Sequence, residues 1–324
     1  MKDIRLLKKP QLKNPVLIAA WPGMGDVALK AAQYLKEKLN AEEFAQMPAA
    51  DYFQPSGVWI DEGLISIPAA PEGRFYFYKN PRPESPDLII FLSDTQPFME
   101  KAHSYACAIV DFAKAFKVRR LYTFAAMPMP MEHTQPPQVH ICATDKSLME
   151  DFTKMALKPM PSGQISGLNG LILGVAKARG LDGACLLGEI PLYTIQIENP
   201  MASMAVLEVV AKVLGIDLDL SSLREHAARI NEEIEHLIDY LKNPPEEERP
   251  IDEKEIDLLK KGLESSSSLP ESVKTRINEL FRMAKKDLSK AMELKKELDK
   301  WNVYEQYEDS FLDLFRLPPK KSNN

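Results

Sequence analysis

The sequence predicts an α/β fold: a mixed, mostly parallel sheet between two layers of helices, followed by an all-helical extension. Short apolar runs alternate with helical patterns through the first two thirds of the 324 residues, which is typical of a parallel sheet. Thirteen of the 14 glycines lie in residues 1–222, whereas residues 223–324 carry 19 basic and 23 acidic side chains. An Asn-Pro-Pro helix stop at residues 243–245 places the boundary. We therefore expect an α/β domain over residues 1–242 and a helical extension over residues 243–324.

Eight short apolar runs predict the strands of the sheet. The run at residues 88–92 is apolar on both faces, which is typical of a central strand covered by helices on both sides. The hairpin-like stretch at residues 58–78 indicates that part of the sheet is antiparallel. The predicted strands are residues 16–21, 58–60, 64–67, 75–78, 88–92, 121–124, 139–143 and 184–187.

Helical periodicity follows several of these runs and dominates the last third of the chain. The clearest helix start is at Asn199, which can cap the helix while Pro200 occupies its first position. The long pattern from Pro270 to Trp301 places its apolar residues on one face, so we expect a single long helix there. The predicted helices are residues 27–39, 99–116, 168–179, 201–214, 223–241, 253–263 and 270–301.

Composition excludes several classes of protein. The net charge of -6 and the pI near 5.6 argue against a general nucleic-acid binder, which needs a basic surface. No apolar run approaches the roughly 18 residues that span a bilayer, and no signal-peptide pattern follows the first residues. Cys107, Cys142 and Cys185 form no CxxC pair, so we interpret them as small buried side chains in a reducing cytoplasm.

The first candidate site follows the first predicted strand. Gly23, Gly25 and Ala28 have the Gly-x-Gly-x-x-Ala spacing of a dinucleotide-binding turn, in which glycines let the backbone approach a pyrophosphate. Asp26 stands at the start of the helix, where its carboxylate would satisfy the free N–H groups itself. The alternative is a tight strand-to-helix turn capped by Asp26, and the motif alone is weak.

The second candidate site is Ser93-Asp-Thr-Gln-Pro97, at the carboxyl end of the predicted central strand. Ligands of open α/β sheets bind outside such ends, so Asp94 and Gln96 are candidates to line a pocket. The alternative, which we favour, is that Asp94 or Thr95 caps the helix from Met99.

The third candidate is the glycine-rich segment at residues 162–170, which enters an apolar helix. Its backbone N–H groups are suited to cradle an anion. Equally, Gly167 and Gly170 allow close packing of the helix on the sheet, while Ser166 or Asn169 caps the helix.

The fourth candidate is Glu189, again near a predicted strand end. It is a candidate general base, and with Asp94 it would form a carboxylate pair. The alternative is a Glu189 that pairs with a backbone N–H or an arginine.

The histidines do not predict a metal site. His133 and His140 lie seven residues apart in a loop rich in Met and Pro, and neither their spacing nor that of the cysteines is of the zinc type. A loop of Met and His is chemically suited to a soft metal ion, but flexible methionines on an interaction loop are the commoner explanation for such a segment. No nucleophile motif is present either, so we predict no cofactor, no metal and no catalytic residue.

Taken together, the motifs resemble the proteasome assembly chaperone family of the second-subunit type. Four segments carry the resemblance in the family's order: residues 14–25, 93–97, 166–170 and 184–189. The resemblance covers about residues 12–242. It implies a three-layer α/β/α sandwich similar to nucleoside phosphorylases, and a non-enzymatic chaperone that binds proteasome α-subunits. It also implies a homo-oligomer, for which a trimer is favoured.

Two features depart from this family. Archaeal members that bind the proteasome often end in a hydrophobic-Tyr-any motif, whereas this chain ends in Pro-Pro-Lys-Lys-Ser-Asn-Asn, so we expect that docking mode to be absent. The helical extension lies outside the resemblance, and its apolar stripes are suited to self-association.

Three functional hypotheses follow. The first is a cytoplasmic, protein-binding, chaperone-like oligomer that helps to assemble a proteasome-like or other complex. The second is a nucleoside- or nucleotide-binding enzyme of phosphorylase-like fold that uses a pocket at the strand ends, although a shared fold does not supply the chemistry. The third is a structural scaffold in which the helical tail is the active part. None of the three involves nucleic acid or a membrane.

Overall fold

The computed structural model divides into two compact units, residues 1–161 with 165–239 and residues 162–164 with 240–324. The predicted boundary after residue 242 stays a prediction. The structure describes residues 4–48, 52–53, 58–61, 63–66, 72–242, 271–287, 290–301 and 303–315.

The first unit is built on a nine-stranded mixed sheet in the order β1-β3-β6-β7-β2-β8-β11-β9-β10, and a separate two-stranded sheet contains β4 and β5. The strands are β1 Arg5–Leu6, β2 Val16–Ala20, β3 Glu42–Met47, β4 Trp59–Asp61, β5 Leu64–Ser66, β6 Gly73–Tyr78, β7 Leu88–Leu92, β8 Arg120–Met129, β9 Val139–Ala143, β10 Lys158–Pro159 and β11 Asp182–Pro191.

Parallel pairing is concentrated at the centre of the sheet. Strands β7, β2, β8 and β11 are parallel neighbours, and every residue of β2 and of β7 is buried. This confirms the prediction of a central strand apolar on both faces. Because parallel strands end at the same edge, the segments that follow these four strands meet at one edge of the sheet, here called the carboxyl edge.

Antiparallel pairing supplies the flanks. Strand β6 pairs antiparallel with β3 and β7, and β9 pairs antiparallel with β11. The two runs between residues 58 and 67 do form a hairpin, but β4 and β5 pair only with each other within the described residues. Of the stretch at residues 58–78, it is therefore β6 and not this hairpin that adds antiparallel pairing to the main sheet.

Helices cover both faces of the sheet, as predicted. Helices α2 and α4 pack together over one face, and α1 and α5 pack together over the other. The Asn199 side chain accepts a hydrogen bond from the Ala202 N–H at 3.1 Å, and Pro200 is the first helical residue, so this predicted helix start is confirmed. The helices are α1 Val27–Lys38, α2 Met99–Ala115, α3 Lys146–Lys154, α4 Leu168–Ala178, α5 Pro200–Leu214 and α6 Ser221–Lys242.

The second unit contains α7 Glu271–Lys286, α8 Ala291–Lys300 and α9 Tyr304–Leu312. The single helix expected from Pro270 to Trp301 is wrong, because the chain folds back between α7 and α8. Arg276 contacts Glu293 at 3.0 Å, whereas 17 residues of straight helix would separate them by about 25 Å. Folding back lets the two apolar faces bury each other, including Ile277, Leu280 and Leu294.

Two predictions fall on residues that the structure does not describe: the helix at 253–263 and the stop at 243–245. Across the described part of the chain, the helices are too short or too polar to cross a bilayer.

Candidate functional site

The predicted site segments gather at the carboxyl edge of the sheet. Residues 21–26 follow β2 and residues 93–97 follow β7, while the start of α4 packs against both segments. Glu189 lies on β11, three strands away from β7. The edge thus brings together three of the four motifs that sequence analysis singled out.

Asn169 joins the first and third motifs. Its Oδ1 accepts a hydrogen bond from the Trp21 backbone N–H at 3.1 Å, and its Nδ2 donates to the Trp21 carbonyl at 3.1 Å. Asn169 is buried, and the Nδ2 atom faces the open side of Gly23, 3.6 Å from where a Cβ would stand. A buried amide that pairs with both the N–H and the carbonyl of one residue is a structural clamp, because leaving either backbone group unpaired is costly.

Gln96, which lies in the second motif, contacts both the first and the third motif. Its Nε2 donates to the Pro22 carbonyl at 2.8 Å, and its Oε1 accepts from the Leu168 N–H at 3.0 Å. Gln96 therefore caps α4 in place of Ser166 or Asn169, which is a correction to the caps expected for this helix. Gly167 precedes the helix with φ +72°, and a Cβ there would stand 3.1 Å from Gln96 Nε2. Both the backbone conformation and the close approach favour glycine at this position.

In the dinucleotide-like turn, the backbone groups of Gly25 are already hydrogen-bonded to another segment of the chain. The Gly25 N–H donates to the Ile195 carbonyl at 2.7 Å, and the Gly25 carbonyl accepts from the Asn199 N–H at 2.8 Å. Asp26 has φ 48° at the start of α1, and its side chain makes no capping hydrogen bond. The expected Asp26 cap is therefore wrong. The Gly25 backbone groups that a pyrophosphate would use are already paired with the segment after β11.

Gly170 is a packing glycine. A Cβ there would collide with the Ile165 carbonyl, so the segment before α4 passes directly over the first turn of the helix. This matches the packing alternative for the third motif, in which glycine allows close approach.

The second motif does not cap its helix. The residue before α2 is Phe98, which makes no side-chain cap, so the favoured prediction of an Asp94 or Thr95 cap is wrong. Ser93 turns the chain instead, since its hydroxyl donates to the Thr95 carbonyl at 2.9 Å. Asp94 is exposed to solvent.

Glu189 has two partners, one on β9 and one on the residue before it. Its Oε2 accepts from the Gln138 N–H at 3.0 Å, and its Oε1 lies 2.9 Å from His140 Nε2. Three strand spacings of about 4.8 Å separate it from Asp94, roughly 14 Å in total, whereas paired catalytic carboxylates lie about 5–9.5 Å apart. The two residues do not form a carboxylate pair. Glu189 has the backbone N–H partner of the alternative interpretation, with a histidine in place of the arginine.

An aromatic cluster supports the carboxyl edge from inside. The Trp21 ring lies 5.3 Å from Phe91 and 6.4 Å from Tyr105, and Tyr52 packs on Tyr105 at 4.9 Å between ring centroids. Burial raises the pKa of Tyr105 to about 12, because a low-dielectric surrounding disfavours the phenolate. Tyr105 therefore stays protonated near neutral pH and provides no general base beneath these loops.

Sequence reasoning missed the histidine partners near this edge. His133 Nδ1 and its backbone N lie 2.9 Å from the Tyr193 hydroxyl, and His133 Nε2 lies 3.3 Å from Glu235. His140 pairs with Glu189, as described above. No sequence signal could have found these pairs, since each one joins segments at least 49 residues apart. Within the described residues, no group of three or more His, Cys, Asp or Glu side chains is arranged to hold a metal ion.

The β4–β5 hairpin carries the most exposed apolar side chains of the first unit's strands. Ile60 lies directly opposite Ile65, so both side chains share one face of the hairpin. Val58, Ile60, Leu64 and Ile65 are between 52% and 75% exposed. The connection that carries the hairpin leaves β3 at Met47 and returns at Gly73, which stand opposite each other next to the end of β7. It therefore starts and ends at the carboxyl edge.

Comparison with known protein families identifies the family of this chain. The model of the PAC2 family matches residues 17–238, which contain the strand-end motifs and the hairpin. The chain belongs to the PAC2 family. This confirms the resemblance to proteasome assembly chaperones that the four motifs indicated.

The solved structures similar to this chain include two archaeal proteins. The chain is similar to Pyrococcus furiosus PbaB, an archaeal proteasome activator, with 29% identity and a TM-score of 0.63 over 73% of this chain and 99% of PbaB. It is similar to P. furiosus PbaA, an archaeal homologue of proteasome-assembly chaperone, with 24% identity and a TM-score of 0.56 over 72% and 96% of the two chains. At that identity, the likeness to PbaA shows the fold alone.

The chain also has a relative that is similar in sequence. Protein MJ1210 of Methanocaldococcus jannaschii is 29% identical over 228 residues, which is 70% of this chain and 84% of the relative.

Proposed function

We propose that this PAC2 protein is a non-enzymatic, chaperone-like factor that binds protein subunits, and that its partners are proteasome α-subunits. The proposal is supported by family membership and by the 29% identity to PbaB, a proteasome activator. Because PbaB is a proteasome activator, we propose a proteasome partner for this chain as well. The pocket at the strand ends is proposed to be a structural junction and not a ligand site.

The apolar β4–β5 hairpin is the observation that carries the proposal. Two-stranded hairpins are marginally stable in water on their own, and clustered exposed apolar side chains mark protein interaction sites. Ile60 and Ile65 are 71% and 72% exposed and adjacent across the two strands. Binding a protein partner would remove this surface from water and would stabilise the hairpin.

The polar groups of the carboxyl edge argue against an enzyme. A small-molecule site needs convergent polar groups that are free to bind the ligand. Here both ends of the Asn169 amide and both ends of the Gln96 amide already bind the chain's own backbone. A ligand at this edge would have to replace these internal hydrogen bonds, and it would recover little free energy by doing so.

Further proposals concern assembly and location. We propose that the chain forms a homo-oligomer in the cytoplasm, with a trimer as the expected state, and that residues 243–324 contribute to this assembly. Native mass spectrometry of the full chain and of residues 1–242 tests both points. A trimer that becomes a monomer on truncation supports the role of the extension, and an unchanged number of subunits contradicts it.

Capture from native lysate tests the function. The tagged full-length chain and its Ile60→Asp, Ile65→Asp double variant are compared by quantitative mass spectrometry, with Met99→Asp as control because Met99 is exposed but lies outside the hairpin. We expect proteasome α-subunits to be enriched with the wild type and the control, and lost with the double variant. If the wild type enriches no α-subunits, the proposed partner is wrong.

A further inference from the structure

Two of the three cysteines lie side by side on neighbouring strands of the sheet. Strands β9 and β11 pair antiparallel, and in their register Cys142 lies directly opposite Cys185. Both side chains lie on the face covered by α2 and α4. Sequence analysis treated these cysteines as unrelated small side chains, because nothing in their spacing predicts that β9 pairs with β11.

The backbone pattern fixes the separation of the two cysteines. Glu189 N–H donates to the Gln138 carbonyl, and Thr144 N–H donates to the Gly183 carbonyl. Hydrogen-bonded pairs recur every second residue along an antiparallel ladder, so Cys142 and Cys185 also form such a pair. Opposed Cα atoms in hydrogen-bonded pairs lie about 5.5 Å apart, which is within the roughly 4.4–6.8 Å that a disulfide bridges.

The two thiols differ in access and in acidity. Cys185 is fully buried, whereas Cys142 is partly exposed, and neither is in a disulfide. Hydrogen-bond donation from Cys185 lowers the pKa of the Cys142 thiol, and burial raises the pKa of the Cys185 thiol well above its usual value. Cys142 therefore has the character of an attacking thiol, and Cys185 that of a resolving thiol.

We propose that Cys142 and Cys185 form an oxidisable dithiol, which hydrogen peroxide converts into a disulfide that joins β9 to β11. The Cys142 thiolate attacks one peroxide oxygen, the O–O bond breaks, and the departing hydroxide takes up a proton to leave as water. Cys142 is then a sulfenic acid. The Cys185 sulfur attacks the Cys142 sulfur, the S–O bond breaks, and the hydroxide leaves as a second water with the Cys185 proton. Two thiols are oxidised by two electrons, and one peroxide is reduced to two waters.

Peptide mapping of the full-length chain after hydrogen peroxide treatment tests the proposal. We expect a cross-linked peptide pair containing Cys142 and Cys185, an intact mass lower by two hydrogen atoms, loss of two of the three titratable thiols, and reversal by dithiothreitol. Cys107→Ser is the matched control, since it removes the thiol outside the pair, and it should still form the disulfide. In Cys185→Ser, dimedone should label Cys142, because the sulfenic acid has no resolving partner.

Three results would overturn the proposal. The first is a wild-type chain that keeps all three thiols under peroxide that oxidises a free-thiol reference protein. The second is a disulfide that involves Cys107 or joins two chains. The third is conversion of Cys142 to sulfinic acid without a disulfide. The decisive readout is made on the wild type, so the proposal stays testable even where a serine variant fails to fold.

Discussion

Asn169 and Trp21, 148 residues apart in the chain, are joined by two hydrogen bonds, in which the Asn169 side-chain amide accepts from the backbone N–H of Trp21 and donates to its carbonyl. The contact fastens the start of α4 to the loop that follows the central strand β2. Gln96 makes the equivalent connection from the loop after β7 to Pro22 and Leu168. Two amide side chains thus close the edge at which α/β folds commonly bind ligands.

Replacing Asn169 by alanine should destabilise the first unit strongly. The change leaves the buried N–H and carbonyl of Trp21 without partners, at about 1–3 kcal/mol for each group. Urea unfolding followed by circular dichroism measures the loss. Asn278→Ala is the control, because Asn278 is exposed on α7 and should change stability by under about 0.5 kcal/mol. Equal stability of the two variants would contradict the clamp.

Two glycine-to-alanine substitutions, one just before α4 and one inside it, should change the free energy of unfolding in opposite directions. Gly167→Ala should lower the free energy of unfolding by about 1–2 kcal/mol, because φ is +72° and a left-handed conformation is strained for alanine. A Cβ there would also press on Gln96. Gly174 lies inside α4 with open space around the Cβ position. Gly174→Ala should therefore raise the free energy of unfolding by about 0.5–1 kcal/mol. Chemical denaturation compares both variants with the wild type, and a stabilised Gly167→Ala would refute the packing described for the junction.

The sequence predicted the central sheet well, because burial on both faces leaves a direct signal in β2 and β7. The predicted strand at residues 121–124 is shorter than β8, which continues to Met129 beside β11 although a proline such as Pro128 is unusual inside a sheet. The prediction missed β3, whose bulge between Glu43 and Ala45 interrupts the alternation of polar and apolar residues.

The candidate site was predicted in position but not in role. Gln96 and Asn169 do lie together at one edge of the sheet, whereas the assignment of these residues and the glycines to a ligand pocket stays a prediction. Their role depends on which loop meets which, and that is set by strand order. For the same reason, the pairing of Glu189 with His140 and that of Cys142 with Cys185 lay beyond sequence reasoning.

Acid should weaken the attachment of α6 through Glu198. Its carboxylate contacts Lys30 Nζ at 2.9 Å and His226 Nε2 at 3.1 Å. Burial alone would raise the pKa of Glu198, but the hydrogen bonds from Lys30 and His226 outweigh it and hold the pKa below its usual value. A lowered folded-state pKa gives stability that is present above the unfolded pKa, about 4.3, and is lost as pH falls through the folded value.

Glu198→Gln should therefore reduce the loss of stability between pH 6 and roughly pH 3. Urea midpoints across this range, compared with those of Glu225→Gln, measure the difference. Glu225 is the control because it is exposed on α6. An unchanged pH dependence in Glu198→Gln would show that the contact with Lys30 and His226 does not stabilise the fold.

Small anions and nucleosides should not change the melting temperature of the protein. Since the amides of Gln96 and Asn169 are occupied, inosine, adenosine or phosphate at millimolar concentration should not raise the melting temperature. Differential scanning fluorimetry at constant ionic strength measures this. A saturable rise that Asp94→Asn abolishes would instead support a ligand site at the carboxyl edge.

The most direct test of the account is binding of the purified chain to purified proteasome α-subunits by biolayer interferometry. We expect saturable binding by the wild type and by Met99→Asp, and at least a tenfold weaker affinity for the Ile60→Asp, Ile65→Asp double variant, about 1.4 kcal/mol or more. The far-ultraviolet circular dichroism of the double variant should match that of the wild type. Wild-type binding that the double variant retains in full would contradict the role of the hairpin, and absence of wild-type binding would contradict the proposed partner.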